Sequence, residues 1–381
     1  MRQRLLILCV CLAWALVSSH PIWKYLSPSK AVAVTAVSLS LIALGMVWLE
    51  RLNRGSYQIG LGWFLALFLV LTTVFGVIYP KSLKQPLNAR SDREDALRME
   101  LAAVLHHQNP FEARTFLRNP PTPLPGAMLL AAPFFAVGRI AWQNLLWYAL
   151  FFLFSIRFFR YRATALFFLT TFLLLSPTDL GDFVSGGDYL TNLFYVVIAL
   201  SLFVACLNRR LYLSTLAALF LGLTLSSRAV YLLSLVPLLA FTRQQTSRSR
   251  TFGLFVIIFL ALAVVTLPIL APHPVSKLLQ ELDQTSVGKL HFISDALRPR
   301  WTLPLIATIL ASIAFFVRMD LPLLFLFLGA ANFVMLSPFV LTFAAHGLWQ
   351  RFSYLAVCAL PFVLWALARY ENTPSPLVSD Q

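Results

Sequence analysis

The chain has 381 residues, of which 59% are hydrophobic and 12% charged, with a formal net charge of +15. A soluble domain carries about twice that share of charge, and apolar runs approaching 20 residues recur from end to end, so the composition excludes a soluble globular protein and points to a polytopic helical membrane protein. The positive charge sits in short arginine clusters between apolar runs, as in loops on the inner side of a membrane, and nucleic acid is excluded as a partner on that ground.

The chain opens with the basic MRQR and an apolar stretch, which reads as an uncleaved first helix that delivers His20 to the outside. Apolar runs predict helices over 5–20, 31–50, 61–79, 141–158, 163–177, 189–207, 211–226, 229–242, 252–271, 301–317, 321–340 and 351–369. The run 124–138 is apolar but short, and Pro125 and Pro133 interrupt it. If it does not cross, Arg51, Arg54, Arg157, Arg160, Arg162, Arg209, Arg210, Arg243, Arg248, Arg250 and Arg318 all fall inside, as the positive-inside rule requires. The segment is therefore expected to be juxtamembrane or re-entrant on the outer face, where irregular backbone implies a cavity. The expected fold is an all-α polytopic membrane protein of about 12 spans with both termini inside. Residues 1–371 form one transmembrane domain with a large outer loop over 80–140, and 372–381 form a short cytoplasmic tail. Cys9, Cys11, Cys206 and Cys358 lie in apolar runs without metal-ligand spacing and read as small buried hydrophobes.

Chemistry-capable groups gather in the outer loops. Asp92, Glu94 and Asp95 follow the third span and its basic loop, Lys81, Lys84 and Arg90. A carboxylate at a membrane boundary near cations can serve as a base; the alternative is that these acids lead a helix over about 93–107, capped by Ser91 and Asp92 and favoured by its dipole. Asn109-Pro110-Phe111, then Arg118-Asn119 and the prolines at 120, 121, 123 and 125, bar a continuous helix and impose a stiff path back to the membrane. The loop 177–188 offers Asp179, Asp182 and Asp188 beside Gly181, Gly186 and Gly187. Such acids suit a divalent cation, a sugar hydroxyl or a bound ion, but no spacing fixes a ligand geometry, so no metal site and no cofactor is assigned, with a divalent cation left open. Arg228, His346 and Arg351 stand at outer boundaries, where an arginine either snorkels to the headgroups or holds a lipid-linked phosphate bidentately. The loop 272–300, with Lys277, Glu281, Asp283, Lys289 and His291, reads as an amphipathic cover along the surface. No GxSxG, HExxH or GxxxxGK[ST] is present, which argues against ATP-driven transport and zinc proteolysis.

This layout resembles the superfamily C membrane glycosyltransferases, and within them the bacterial enzymes that use polyprenol-phosphate-mannose. The resemblance rests on a first outer loop that begins with an acid (Ser91-Asp92), passes an Asn-Pro-aromatic element (Asn109-Pro110-Phe111) and returns through Pro120-Pro121-Thr122-Pro123-Leu124. A second acidic outer loop and a late Arg351-Phe352 before a proline-containing span extend it over most of the chain. Phe111 replaces the usual tyrosine, and three acids stand where one would suffice. What the resemblance implies is a hexosyltransferase of the bacterial cell membrane that takes a sugar, mannose in the nearest branch, from a polyprenyl-phosphate donor to the hydroxyl of a glycan or lipid acceptor of the cell envelope. Asp92 would act as base, with Asp95 and Glu94 as the other candidates. Arg351, Arg228 and His346 would bind the donor phosphate, and Asp182, Asp188 and Asn109 would contact sugar, acceptor or ion. Two other readings are weaker. A lipid or solute transporter needs ionisable residues at mid-membrane or an internal repeat, and neither is visible. A lipid-linked oligosaccharide polymerase or ligase would carry its largest outer loop late in the chain.

Overall fold

The computed structural model describes residues 2–54, 59–87, 90–119, 121–270, 299–345 and 349–372. Among the described residues every regular element is a helix. The chain runs through α1 (Arg2–Tyr25), α2 (Pro28–Arg54), α3 (Leu61–Ser82), α4 (Arg93–Leu105), α5 (Pro125–Ala136) and α6 (Gln143–Phe158). It continues through α7 (Arg162–Leu169) with a π-turn at Thr170–Leu174, α8 (Pro177–Val184), α9 (Tyr189–Cys206), α10 (Leu211–Leu225), α11 (Leu235–Gln245) and α12 (Arg248–Leu270). The last three are α13 (Pro299–Ser312), α14 (Leu321–Ala345) and α15 (Ala356–Glu371). Helix is what lipid demands, because only a helix or a closed barrel satisfies every backbone group without water.

Among the described residues six helical stretches are long and apolar enough to cross a membrane: Pro28–Asn53, Leu61–Ser82, Tyr189–Cys206, Arg248–Leu270, Leu321–Pro338 and Phe352–Glu371. Two bent pairs, Pro125–Ala136 with Ile140–Phe158 at 111° and Arg162–Leu174 with Pro177–Val184 at 69°, raise the number to eight if each is one span. The sequence expectation of about 12 spans also counted shorter apolar runs. A helix rises 1.5 Å per residue and needs about 20 residues to cross about 30 Å of hydrocarbon. The predicted span 211–226 is a helix of 15 residues, 301–317 falls in one of 14 and a short 3₁₀ turn, and 229–242 divides into the 3₁₀ turn Ala229–Ser234 and the 11-residue α11. The predicted span 163–177 ends where Ser176 and Pro177 start the separate α8. The run 124–138 forms α5 with Pro133 inside it, and at Gly138 (φ +69°) the chain turns sharply toward α6.

The core surrounds α9, which is apolar on all sides as a central helix must be, and 72% of its span is buried against 22% for α3 and α12. Aromatic rings fill the space between α9, α6 and α8: Phe151 stacks on Phe194 at 3.9 Å, and Tyr148 lies 4.2 Å from Phe183 and 4.8 Å from Phe194. The outer helices turn large apolar side chains outward, Trp48 and Leu65 among them, the face that hydrocarbon covers. α10 and α12 touch closely at Gly222, where an added Cβ would lie 2.5 Å from the Ile258 carbonyl oxygen.

Candidate functional site

The segment between α8 and α9 builds the first part of the site. Ser176 caps α8 by accepting the Asp179 N–H at 3.4 Å, and Pro177 needs no donor at the first helical position. After α8 the backbone turns at Gly186 (φ +75°) and doubles back so tightly that the Gly187 N–H donates to the Asp182 carbonyl at 2.8 Å. A Cβ at Gly187 would lie 2.1 Å from Asp182 Oδ1, so glycine is required there. Asp182 Oδ2 accepts the Leu190 N–H at 3.2 Å, and Asp188 Oδ2 accepts the Asn192 side chain at 2.9 Å. Both carboxylates are buried.

Buried carboxylates need partners, and two arginines from distant parts of the chain supply them. Arg93, at the start of α4, donates to Asp182 and lies over the rings of Tyr189 at 4.8 Å and Tyr354 at 5.7 Å. Arg228, just after α10, donates to both Asp188 oxygens at 3.0 and 3.2 Å and to Thr122 Oγ1 at 3.0 Å, and faces Tyr189 at 5.8 Å. The Tyr189 hydroxyl in turn donates to the Tyr354 carbonyl at 2.5 Å. One ring thus stands between two ion pairs and ties three loops together. Burial works against both arginine charges, but Asp182 and Asp188 more than offset it, so each guanidinium holds its proton more tightly than usual.

The three candidate acids divide by geometry. Asp92 Oδ2 accepts Thr115 Oγ1 at 2.7 Å and Asn119 Nδ2 at 2.8 Å, while Asp95 Oδ2 accepts the Phe116 N–H at 2.9 Å. Together they hold the 115–119 turn, in which Arg118 adopts a left-handed φ of +62°. Glu94 is buried, and both its oxygens lie 2.8 Å from the Tyr79 hydroxyl at the end of α3, with Arg98 at 3.5 Å. Asn109 caps the 3₁₀ turn Pro110–Glu112 by accepting the Phe111 N–H at 3.0 Å, and Phe111 is buried in a small cluster with Leu97, Leu101 and Met128. A cavity of about 80 Å³ opens between the end of α3 and the start of α4, lined by Ser82, Arg90, Ser91, Glu94, Asp95, Arg98, Phe116 and Ser185 among others.

The structure therefore joins Asp182 and Asp188 to arginines, commits Arg228 to Asp188 rather than to solvent, and places Asp95 and Glu94, but not Asp92, on the cavity. His346 and the Arg351 side chain lie outside the described residues, as does the predicted cover 272–300. Among the described residues no group of three or more His, Cys, Asp or Glu side chains is arranged to hold a metal. Sequence reasoning passed over Arg93 and Tyr189, and also Glu100, which is fully buried with neither carboxylate oxygen hydrogen-bonded. Burial holds the Glu100 carboxyl well above the ordinary range, the Asp188 charge adds to the shift and Arg228 opposes it. A signal for Glu100 existed: it is an acid on the helical face that also carries Leu97 and Leu101. Among known protein families, curated proteins and solved structures, none matches this chain.

Proposed function

We propose that this chain is an integral membrane glycosyltransferase that moves a sugar from a polyprenyl-phosphate donor to an acceptor hydroxyl, at the face that carries the 80–140 loop. The observation that carries the reading is the cavity at the end of α3. Two carboxylates, two guanidinium groups and an aromatic ring line it, at the depth where a membrane span ends. We take that face as the outer one and both termini as cytoplasmic, the arrangement the positive-inside rule favours for the twelve sequence-predicted spans. The resemblance of the loop supplies the reaction class, the polyprenyl donor and a mannose-type sugar; it extends the fold reading to the superfamily C layout in the membrane of a bacterial cell.

Glycosyl transfer needs a base for the acceptor hydroxyl and a stabilised leaving phosphate. Asp95 is the acid that lines the cavity and hydrogen-bonds through Oδ2 alone among the described residues. It takes the acceptor proton while the acceptor oxygen bonds to the anomeric carbon. The bond from that carbon to the phosphate oxygen breaks with its electron pair, and the sugar inverts. Asp92, the position the resemblance favours, holds through Oδ2 the 115–119 turn whose Phe116 N–H donates to Asp95. Arg351 is assigned to the leaving phosphate. Arg228 is not, because its guanidinium already serves Asp188 and Thr122.

The test is sugar transfer in proteoliposomes from synthetic polyprenyl-phosphate sugars. Asp95→Asn should lower the rate by about 10²–10⁴-fold, the usual contribution of a positioned base. Full activity in Asp95→Asn with loss in Asp92→Asn would move the base to Asp92, and absence of transfer by folded wild-type protein from any donor would overturn the class.

A further inference from the structure

The cavity that holds Asp95 also states what kind of acceptor fits it, an inference that rests on the glycosyl-transfer reading. We infer that the acceptor is a lipid whose headgroup joins a phosphodiester to a free hydroxyl, with the phosphate on Arg90 and Arg98 and the hydroxyl on Asp95.

Charge comes first. Arg90 has no carboxylate partner among the described residues, and its guanidinium is held over the Phe116 ring at 5.4 Å. Arg98 is half exposed, and its one acid among the described residues is Glu94 at 3.5 Å, whose oxygens both lie at 2.8 Å from the Tyr79 hydroxyl. Two guanidinium groups on one cavity with unspent donors are a phosphate site, since their planar forks match phosphate oxygens. Two carboxylates line the same space, so the lining as a whole is neutral. A neutral lining with separated signs disfavours a dianionic monoester and suits a monoanion that also brings a hydrogen-bond donor. Asp95 is the acceptor for that donor.

Size comes second. A single ordered water needs about 10–15 Å³, so 80 Å³ holds about five to eight water-sized groups. A phosphate group with its first ester carbons fills that space, and neither a whole glycerol arm nor a hexose ring lies wholly inside it. The sugar being transferred and the hydroxylated end of the headgroup must then lie at the mouth.

Position comes third. Ser82 is both the last residue of a membrane-spanning helix and part of the lining. The cavity therefore opens at headgroup depth, where a phospholipid is present at high local concentration and a free phosphate is not. Exposed Lys81, in the last turn of α3, and Lys84, just after it, do not line the cavity, and they serve as controls for general attraction to anionic membranes.

The experiment compares acceptors and variants in one proteoliposome assay, with phosphatidylglycerol, phosphatidylcholine or neutral diacylglycerol as the lipid offered. Wild type should glycosylate phosphatidylglycerol and neither other lipid. Arg90→Gln and Arg98→Gln should each raise the KM for phosphatidylglycerol about tenfold, the value of one charge-assisted hydrogen bond, with Lys84→Gln unchanged. A second readout is independent of turnover: soluble sn-glycero-3-phosphoglycerol should protect the folded protein against thermal unfolding, inorganic phosphate and glycerol less, and the Arg90→Gln variant should lose the protection. Transfer to diacylglycerol as good as to phosphatidylglycerol, or KM values that rise equally in Lys84→Gln and Arg90→Gln, overturns the inference and keeps the glycosyl-transfer reading. Protection by the diester that depends on Arg90, without any sugar transfer, upholds the headgroup site and overturns the enzyme. Protection by inorganic phosphate equal to that by the diester replaces the lipid with free phosphate and overturns the inference.

Discussion

Removing Arg93 should cost more than any other single truncation at this end of the bundle. Its partner Asp182 has a side chain only 6% exposed, while Arg93 itself is 27% exposed. In Arg93→Ala the Asp182 carboxylate stays buried and keeps, among the described residues, the Leu190 N–H as its partner. Breaking one side of a buried pair costs about 3–5 kcal/mol, and the partial exposure of Arg93 places this pair toward the lower end. Loss of the guanidinium from Tyr189 and Tyr354 adds about 0.5–1 kcal/mol for each ring, so the expected cost is about 4–5 kcal/mol. Asp182→Asn should cost about half as much, because the more exposed Arg93 keeps its two rings and reaches water. The double variant should cost less than the sum of the two, with a coupling of about 1–3 kcal/mol. Arg93→Lys should recover little, since an ammonium lacks the planar group that lies on the rings. Equilibrium unfolding in mixed micelles measures all four. Strict additivity in the cycle would refute the account of the pair, and a single-variant cost under about 1 kcal/mol would show that the site is wet.

Glu100→Gln should stabilise the protein as pH rises. The folded state keeps the Glu100 proton above the unfolded carboxyl value of about 4.3. Below that value both states are protonated; above it the unfolded chain ionises first, and stability falls by up to about 1.4 kcal/mol per pH unit until the folded pKa is passed. Melting temperatures at pH 4, 6 and 8 should diverge in favour of the variant, and parallel curves would sink the claim. Gly187→Ala forces a Cβ against Asp182 Oδ1 at 2.1 Å and should cost about 3 kcal/mol or more by displacing that carboxylate from Arg93; unchanged stability by the same unfolding measurement would show that the turn relaxes freely. Asp92→Asn weakens acceptance from Thr115 and Asn119, so limited proteolysis should cut the 115–119 turn faster than in wild type, while an unchanged cleavage rate would leave the turn to its prolines.

The class of fold was legible because lipid permits few solutions: apolar runs of helical length with arginine clusters between them leave little but a helical membrane protein. The helix start behind Ser91–Asp92 was visible for the same local reason, since acid-rich first turns act over a few residues, whereas the segment 177–188, expected as a loop, carries α8 over Pro177–Val184. Span number was not legible, because hydropathy alone does not show that a run such as 211–226 forms a helix of 15 residues. The site separates along the same line. Glu94, Asp95, Asp182, Asp188 and Arg228 stood out as charges in an apolar chain. Which acid faces the cavity and which arginine is already spent was decided by contacts between residues 89 positions apart for Arg93 and Asp182, and 40 apart for Asp188 and Arg228. Local sequence fixes the cost of leaving a charge in an apolar setting; only the packing of distant helices determines which opposite charge relieves it.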